Sequence, residues 1–318
     1  MPQGDKFILL TGRANPKLAT DIAKILKTKV HNPITKFSDG ETRVKIPVNL
    51  RNRDVFIIQP TCPPEVDSFL IELLLMIDAA RRASADRIYA VVPYLGYSRQ
   101  DRKEGPRVPI SSAILTEMIE YAGVTAISTV DLHSEPQQGF IKCPIDNLYG
   151  SYTLVPKLRS LKLKNLVIAS PDKGGVPKAT AYAKLLKAHG IAIVYKERDL
   201  SINNRAEALE MIGDVGGKNV LMVDDMIDTG GTICEAANLI KKRGAKSIIA
   251  AATHGLFTGP ALERINSSAI EKVFVTDTVP VTETVLKSPK VKVITIAPLL
   301  AEVIRRIQSG ESISSLIL

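Results

Sequence analysis

The residues best suited to chemistry follow one short apolar run in the second half of the chain. Asp224 and Asp225 come directly after residues 220–223, and the turn Asp228-Thr229-Gly230-Gly231-Thr232 leads from them into a helical pattern. Unpaired N–H groups at a helix start, with glycines that let the chain wrap closely, favour a phosphate monoester. The two carboxylates suit either a vicinal diol, whose hydroxyls donate to them, or a shared divalent cation. These residues predict a site for a phosphorylated sugar.

A second glycine turn follows another apolar run, residues 166–169. The turn Asp172-Lys173-Gly174-Gly175 precedes a helical pattern over residues 177–188. Its backbone donors would suit a second anion such as a diphosphate, although Asp-Gly turns are also common without any ligand.

His133 lies just beyond the apolar run 126–130. A single histidine at a strand end is more often a structural residue than a metal ligand. Together with Asp172, however, it would give Mg²⁺ one imidazole and one carboxylate, and ATP phosphate oxygens would complete the coordination. This pair is our predicted metal site.

Lys196 and Arg198 close a further strand pattern. Because they are two residues apart on an extended chain, both cations can face one developing negative charge. A solvated basic strand end is the alternative.

Two polar segments of the first half could hold a nucleotide. Phe37, Asp39 and Glu41 share one glycine-containing turn that could stack on a purine and bond to it. Arg99, Gln100 and Asp101 lie in a basic segment after the apolar run 88–92 and could reach ATP phosphates or base. Ordinary surface turns are the alternative for both segments.

Composition excludes several classes of protein. The chain has 318 residues, 45% of them apolar, which is enough for two domains with their own cores. Its net charge of +9 is dispersed and no nucleic-acid-binding motif accompanies it. The three cysteines are widely spaced, which indicates neither a disulfide framework nor a zinc cluster. No apolar run has membrane-spanning length. We therefore expect no nucleic-acid partner, no membrane partner and a cytoplasmic location.

Short apolar runs alternate with amphipathic stretches along the whole chain, a pattern typical of α/β proteins with mainly parallel sheets flanked by helices. The predicted division is an N-terminal domain over 1–150, a C-terminal domain over 151–300 and a segment over 301–318 that packs back on the first domain. Neither half contains the common glycine-rich nucleotide loops.

The turn 228–232 resembles the ribose 5-phosphate loop shared by phosphoribosyltransferases and ribose-phosphate diphosphokinases. The further motifs occur in the order typical of the second family: 37–41, 98–101, 131–133, 170–172, 196–198 and 224–232. The chain is therefore similar to the phosphate-activated, hexameric ribose-phosphate diphosphokinases over nearly its whole length.

This resemblance implies two phosphoribosyltransferase-like domains and transfer of the diphosphoryl group of ATP to the 1-hydroxyl of ribose 5-phosphate. It implies that 224–232 holds the sugar phosphate, 172–175 the diphosphate, and His133 and Asp172 the Mg²⁺. Lys196 and Arg198 would stabilise the transition state. The residues named in the two first-half segments would hold ATP, with Phe37 reaching in from an adjacent subunit of a hexamer built from dimers.

The resemblance also implies activation by inorganic phosphate. Glu135 departs from the small hydroxyl residue typical of its position, and a carboxylate there would repel the activating anion. The other matching regulatory positions are Arg51, Lys103, Arg107, Gln138, Asp146, Asn147, Ser312 and Ser314.

Three rival interpretations remain open at this stage. A phosphoribosyltransferase would explain residues 224–232 but not His133, Lys196, Arg198 or the first half. A non-catalytic regulatory homologue should have lost catalytic residues that are present here. A nucleic-acid-binding protein would rest on net charge alone.

Overall fold

The computed structural model describes residues 7–198 and 207–316, without the side chains of 196–198 and 207–208. Its strands are β1 (Phe7–Thr11), β2 (Val30–His31), β3 (Ile34–Lys36), β4 (Thr42–Val44), β5 (Asp54–Ile58), β6 (Ile88–Val92), β7 (Ala126–Val130), β8 (Ile145–Leu148), β9 (Leu166–Ser170), β10 (Gly190–Arg198), β11 (Glu207–Ile212), β12 (Asn219–Ile227), β13 (Ser247–Gly255), β14 (Lys272–Thr276) and β15 (Val291–Ile294).

The described helices are α1 (Pro16–Leu26), α2 (Val66–Arg82), α3 (Ser111–Ala122), α4 (Ser151–Ser160), α5 (Val176–Leu186), α6 (Gly231–Lys242), α7 (Ala261–Ser267), α8 (Glu283–Lys287) and α9 (Ala297–Ser309), with short 3-10 helices at Glu135–Gly139 and Ser314–Leu316. None of them is long and apolar enough to cross a membrane. The mixture of parallel sheets and flanking helices confirms the predicted α/β class.

The chain forms two compact units. The first comprises residues 1–149, 278–280 and 295–318, and the second comprises 150–277 and 281–294. The first unit contains a parallel sheet of order β2-β1-β5-β6-β7-β8. Alternate residues of its strands pack against α2 and α3 on one face and against α1 and α9 on the other. Burial on both faces explains why these strands are continuous apolar runs.

The second unit contains a sheet of order β11-β10-β9-β12-β13-β14-β15, in which only β11 runs antiparallel to its neighbour. Helices α6, α7 and α8 cover one face, and α4 and α5 cover the other. Strand β12 pairs with β9 only over residues 219–222 but with β13 as far as residue 227. The end of β12 therefore projects beyond β9 as part of a two-stranded ribbon.

Three features differ from the sequence prediction. Residues 278–280 and 295–300 belong to the first unit. For residues 295–300 the reason is that α9 begins at Ala297, with a proline in its first turn, and packs on α1. Residues 151–160, directly after the predicted domain boundary, form α4, which includes Pro156. The antiparallel hairpin β3–β4 was not predicted, since its strands are only three residues long.

Candidate active site

The acid pair lies where β12 leaves the body of the sheet. Asp225 is buried, Asp224 is partly buried, and the Asp225 N–H donates to Asp224 Oδ1 at 2.8 Å. Loss of solvent raises the pKa of Asp224 well above its usual range, and the carboxyls of Asp225 and Asp172 raise it further. The fold therefore gathers three acids, all of which the sequence predicted, at a point that attracts protons, cations and hydroxyl donors.

The predicted phosphate loop begins one residue after β12 ends. Gly230 is the residue before α6 and has a φ of 73°, a left-handed conformation that favours glycine. Within the described residues, the N–H groups of Thr229 and Gly230 donate to no protein acceptor. Thr229 and Thr232 are exposed beside them. Together with the first N–H groups of α6, these donors form a cradle for an anion.

The second glycine turn connects β9 to α5. The Gly175 N–H donates to Asp172 Oδ1 at 2.9 Å, and Ser170 Oγ donates to the Asp172 carbonyl at 2.6 Å. A Cβ on Gly175 would lie 2.6 Å from Ser170 Oγ, so a side chain there would displace this hydroxyl and its hydrogen bond to the Asp172 carbonyl. The Lys173 ammonium lies 4.9 Å from the centre of the Tyr195 ring, a cation–π contact that ties the turn to β10.

Lys196 and Arg198 occupy alternate positions of β10, opposite residues 209 and 207 of β11. Alternation along a strand places both positions on the same face of the sheet. Their side chains lie outside the described residues, so their catalytic role stays a prediction.

His133 is exposed three residues after β7 and belongs to the first unit, whereas Asp172 belongs to the second. Within the described parts of the chain, no group of three or more histidine, cysteine, aspartate or glutamate side chains is arranged to hold a metal ion. The predicted Mg²⁺ pair therefore stays a prediction.

The predicted purine-binding turn forms the tip of the β3–β4 hairpin. Phe37 is 49% exposed, and the Arg43 guanidinium carbon lies 5.6 Å from the centre of its ring. Asp39 Oδ1 accepts a hydrogen bond from the Glu41 N–H at 3.0 Å, which shapes the turn. The sequence analysis missed Arg43, because its contact with Phe37 depends on the hairpin pairing.

The second predicted nucleotide segment precedes α3. Gln100 Oε1 accepts from Ser111 Oγ at 2.5 Å and the Gln100 carbonyl accepts from the Ser112 N–H at 3.2 Å, so this residue ties the segment to the first turn of α3. Arg99 is exposed and Asp101 is partly buried.

All the predicted regulatory residues belong to the first unit. The Tyr149 hydroxyl donates to Glu135 Oε1 at 2.9 Å. Burial, followed by this bond and the Glu135 charge, raises the pKa of Tyr149 to about 12, so it stays a donor at neutral pH. Glu135 is thus held in place at the start of its 3-10 helix.

The other regulatory residues vary in exposure. Asn147 is buried, its Oδ1 accepts from the Leu132 N–H at 3.0 Å, and its Nδ2 has no hydrogen-bond partner among the described residues. Burial raises the pKa of Asp146. The Ser314 N–H donates to Ser312 Oγ at 3.2 Å. The exposed positions are Arg51, Lys103, Arg107, Gln138, Ser312 and Ser314.

Comparison with known proteins gives the same family over both units. A family model described as the N-terminal domain of ribose phosphate pyrophosphokinase matches residues 7–123, and one described as the phosphoribosyl synthetase-associated domain matches residues 199–318. The ribose-phosphate pyrophosphokinases of Helicobacter hepaticus and Shewanella oneidensis are 47% and 48% identical to this chain, over 98% and 97% of it and 98% of each relative.

A solved structure agrees. Phosphoribosylpyrophosphate synthetase from Mycobacterium smegmatis is 37% identical and has a TM-score of 0.89, over 96% of this chain and 99% of that chain. These matches confirm the resemblance to ribose-phosphate diphosphokinases that the motifs indicated. The chain belongs to the ribose-phosphate pyrophosphokinase family.

Proposed function

We propose that this protein transfers the diphosphoryl group of ATP to the 1-hydroxyl of ribose 5-phosphate, giving 5-phosphoribosyl 1-diphosphate and AMP for nucleotide biosynthesis in the cytoplasm. The proposal rests on one observation. The acid pair Asp224 and Asp225 lies on β12, and the phosphate loop begins directly after that strand. The two carboxylates can accept hydrogen bonds from the hydroxyls of a sugar diol. The loop, which follows them closely in sequence, can bind the monoester phosphate of the same sugar.

In the proposed reaction, the 1-hydroxyl oxygen forms a bond to the β-phosphorus of ATP. The bond between that phosphorus and its oxygen bridge to the α-phosphate breaks, AMP leaves with the bridging oxygen, and the hydroxyl proton is released. Phosphoryl-type transfers need little covalent help from the protein, so positioning and fixed charge supply most of the rate. Lys196 and Arg198 are the cations that we assign to the developing charge.

Mg²⁺ fits the donor chemistry of the second unit. The carboxylate of Asp172 is the kind of hard oxygen ligand that Mg²⁺ prefers, and the Gly175 N–H holds its Oδ1 in place at 2.9 Å. When bound, Mg²⁺ would neutralise charge on the ATP phosphates. We assign Asp172 and His133 as its protein ligands, and the loop 172–175 as the diphosphate site.

Formation of AMP from ATP and ribose 5-phosphate, with Mg²⁺ present, is the direct test. A coupled assay should detect AMP that depends on both substrates. Nucleobase-dependent consumption of phosphoribosyl diphosphate without AMP formation would instead support a phosphoribosyltransferase. Absence of both activities in a folded protein that still binds ribose 5-phosphate would support a regulatory homologue.

Lys196→Ala and Arg198→Ala should each lower turnover on the order of a hundredfold or more, because each removes a fixed cation that acts mainly in the transition state. Steady-state kinetics measure turnover and both Michaelis constants, with the exposed Lys184→Ala on α5 as the control. Unchanged turnover with raised Michaelis constants would make Lys196 and Arg198 binding residues.

Asp224→Asn should weaken ribose 5-phosphate binding by on the order of ten- to a hundredfold, because a charged acceptor of hydroxyl donors is lost. Calorimetry with each substrate tests this, and ATP affinity should change less. An equal loss of ATP affinity would assign the pair to the nucleotide-bound metal instead.

The same substitution should stabilise the unliganded protein at neutral pH. Since the pKa of Asp224 is raised in the folded state, the folded state binds the proton more tightly, and wild-type stability falls as pH rises towards that pKa. Asparagine removes this loss. The melting temperature of the variant should therefore exceed that of the wild type at pH 8, and the gap should narrow towards pH about 4, near the ordinary pKa of aspartate. A gap that does not depend on pH would contradict this account.

We further propose that inorganic phosphate activates this enzyme only weakly. Tyr149 holds the Glu135 carboxylate at one of the positions assigned to the regulatory anion. A unit charge about 5 Å from phosphate costs roughly 3 kcal/mol at an effective dielectric of 20, or about a hundredfold in affinity before screening. Phosphate titrations of activity should show stronger activation of Glu135→Ser than of the wild type. Strong activation of the wild type at low phosphate, unchanged by the substitution, would contradict the proposal.

We propose that copies of this chain assemble as a homo-oligomer, a hexamer built from dimers. In its support, α2 and α3 pack side by side and leave Ile71, Leu75, Ile114, Met118 and Tyr121 exposed, the last to 88%. Apolar patches of this kind mark association surfaces. Tyr121→Lys should lower the sedimentation coefficient, because smaller assemblies form. Leu286→Lys, at an exposed apolar residue of the other unit, should leave the coefficient unchanged. Equal assembly of both variants would exclude this face.

A further inference from the structure

The phosphate loop is hydrogen-bonded to a segment that contains none of the predicted motifs. This supporting segment, residues 256–264, runs from the end of β13 into α7. Arg264, near the middle of α7, is exposed, and its Nη1 donates to the Thr229 carbonyl at 3.1 Å. The same nitrogen lies 3.5 Å from the position that a Cβ on Gly231 would occupy. Arg264 therefore lies against the loop itself.

Three consecutive carbonyls of residues 227–229 accept hydrogen bonds from the supporting segment. The Ile227 carbonyl accepts from the N–H groups of residues 256 and 257 at 2.9 and 3.1 Å, and the Asp228 carbonyl accepts from the Thr258 N–H at 3.1 Å. The Thr229 carbonyl accepts from Arg264. Of these anchors, only the last is made by a side chain.

These bonds determine where the loop N–H groups point. The peptide bonds concerned are trans, since the one cis peptide among the described residues joins Pro63 and Pro64. In a planar trans peptide, the carbonyl and the N–H of the next residue point in opposite directions. The N–H groups of residues 228–230 therefore point away from the supporting segment. Consecutive N–H groups on one side of a turn form an anion-binding nest.

Thr258 acts on the side chain of the same loop. Its hydroxyl donates to Asp228 Oδ1. A carboxylate facing a phosphate would repel it, so a bond that holds Asp228 towards the supporting segment favours anion binding on the other side. The segment therefore orients both the backbone and the one acid of the loop.

We propose that Arg264 is a positioning residue for the 5-phosphate of the substrate, acting through the Thr229 carbonyl. The inference rests on the proposed function, because it takes 228–232 as the phosphate loop. The hydrogen bond from Arg264 holds the peptide between Thr229 and Gly230 with its N–H in the nest. Without that donor, this peptide is free to turn, and ordering it costs part of the binding free energy.

Three substitutions separate the hydrogen bond from the charge. Arg264→Met removes the donor and keeps an apolar stem, Arg264→Gln keeps a donor without charge, and Arg264→Lys keeps both. Arg243→Met is the matched control, because Arg243 directly follows α6 and pairs with Glu210 at 3.2 Å. Calorimetry measures ribose 5-phosphate and ATP binding separately, and thermal melting reports folding.

We expect Arg264→Met to weaken ribose 5-phosphate binding about tenfold, the size of one hydrogen bond to a ligand-ordering group, with ATP binding and melting temperature unchanged. Gln and Lys should both restore most of the affinity, and the control should match the wild type. Unchanged affinity in Arg264→Met would overturn the proposal, as would equal loss of both affinities or restoration by Lys alone. Because binding is measured without turnover, a protein that binds the sugar phosphate but forms no AMP would contradict the proposed function and leave this result intact.

Discussion

Like charges held together at the end of β12 are the constraint on which the second unit depends. Asp224 and Asp225 are adjacent in sequence and both lose solvent, with Asp172 near enough to add to the pKa shift. Such an arrangement costs stability in the free protein and is kept only if the surrounding sheet holds it. The buried strands β9, β12 and β13 supply that rigidity, and under the proposed function the free energy lost is recovered when hydroxyls of the substrate satisfy the carboxylates.

The first unit repeats the strand order but not the site. Setting aside the β3–β4 hairpin and β11, the chain order of parallel strands is the same in both sheets. Where the second unit has its two glycine turns, after β9 and β12, the first unit has segments after β1 and β5 that bind each other. The fully buried Glu72 accepts from Arg13 and from Gln59 Nε2 at 2.9 Å, and Gln59 Oε1 accepts from the Ala14 N–H. In the first unit these side chains occupy the positions that correspond to the two glycine turns, which explains why the sequence marks a sugar phosphate site only in the second unit.

Features that depend on residues close together in sequence could be predicted, whereas features that depend on residues far apart in sequence could not. Strands buried on both faces are continuous apolar runs, so the sheets were readable, as were the acid pair and glycine turns, whose chemistry is local. The β3–β4 hairpin was not predicted, because three-residue strands give too short a pattern. Helix α4 contains Pro156, a residue that ordinarily interrupts a helical pattern. Arg43 and Arg264 were missed because their partners are set by strand pairing and sheet register rather than by neighbouring residues. Gln100 was predicted to bind ATP, and this stays a prediction; in the structure its side-chain oxygen accepts a hydrogen bond from Ser111 in the first turn of α3.

The projecting ribbon of β12 and β13 makes the site sensitive to changes far from its chemistry. Residues 224–227 pair with residues 252–255 and lack β9 on their other side. A one-residue deletion near the end of β13 would shift the supporting segment by one residue relative to the phosphate loop. The side chains that follow the deletion would then lie on the opposite face. The length of β13 is therefore restricted by the loop that its following segment holds, although β13 itself carries none of the predicted site residues.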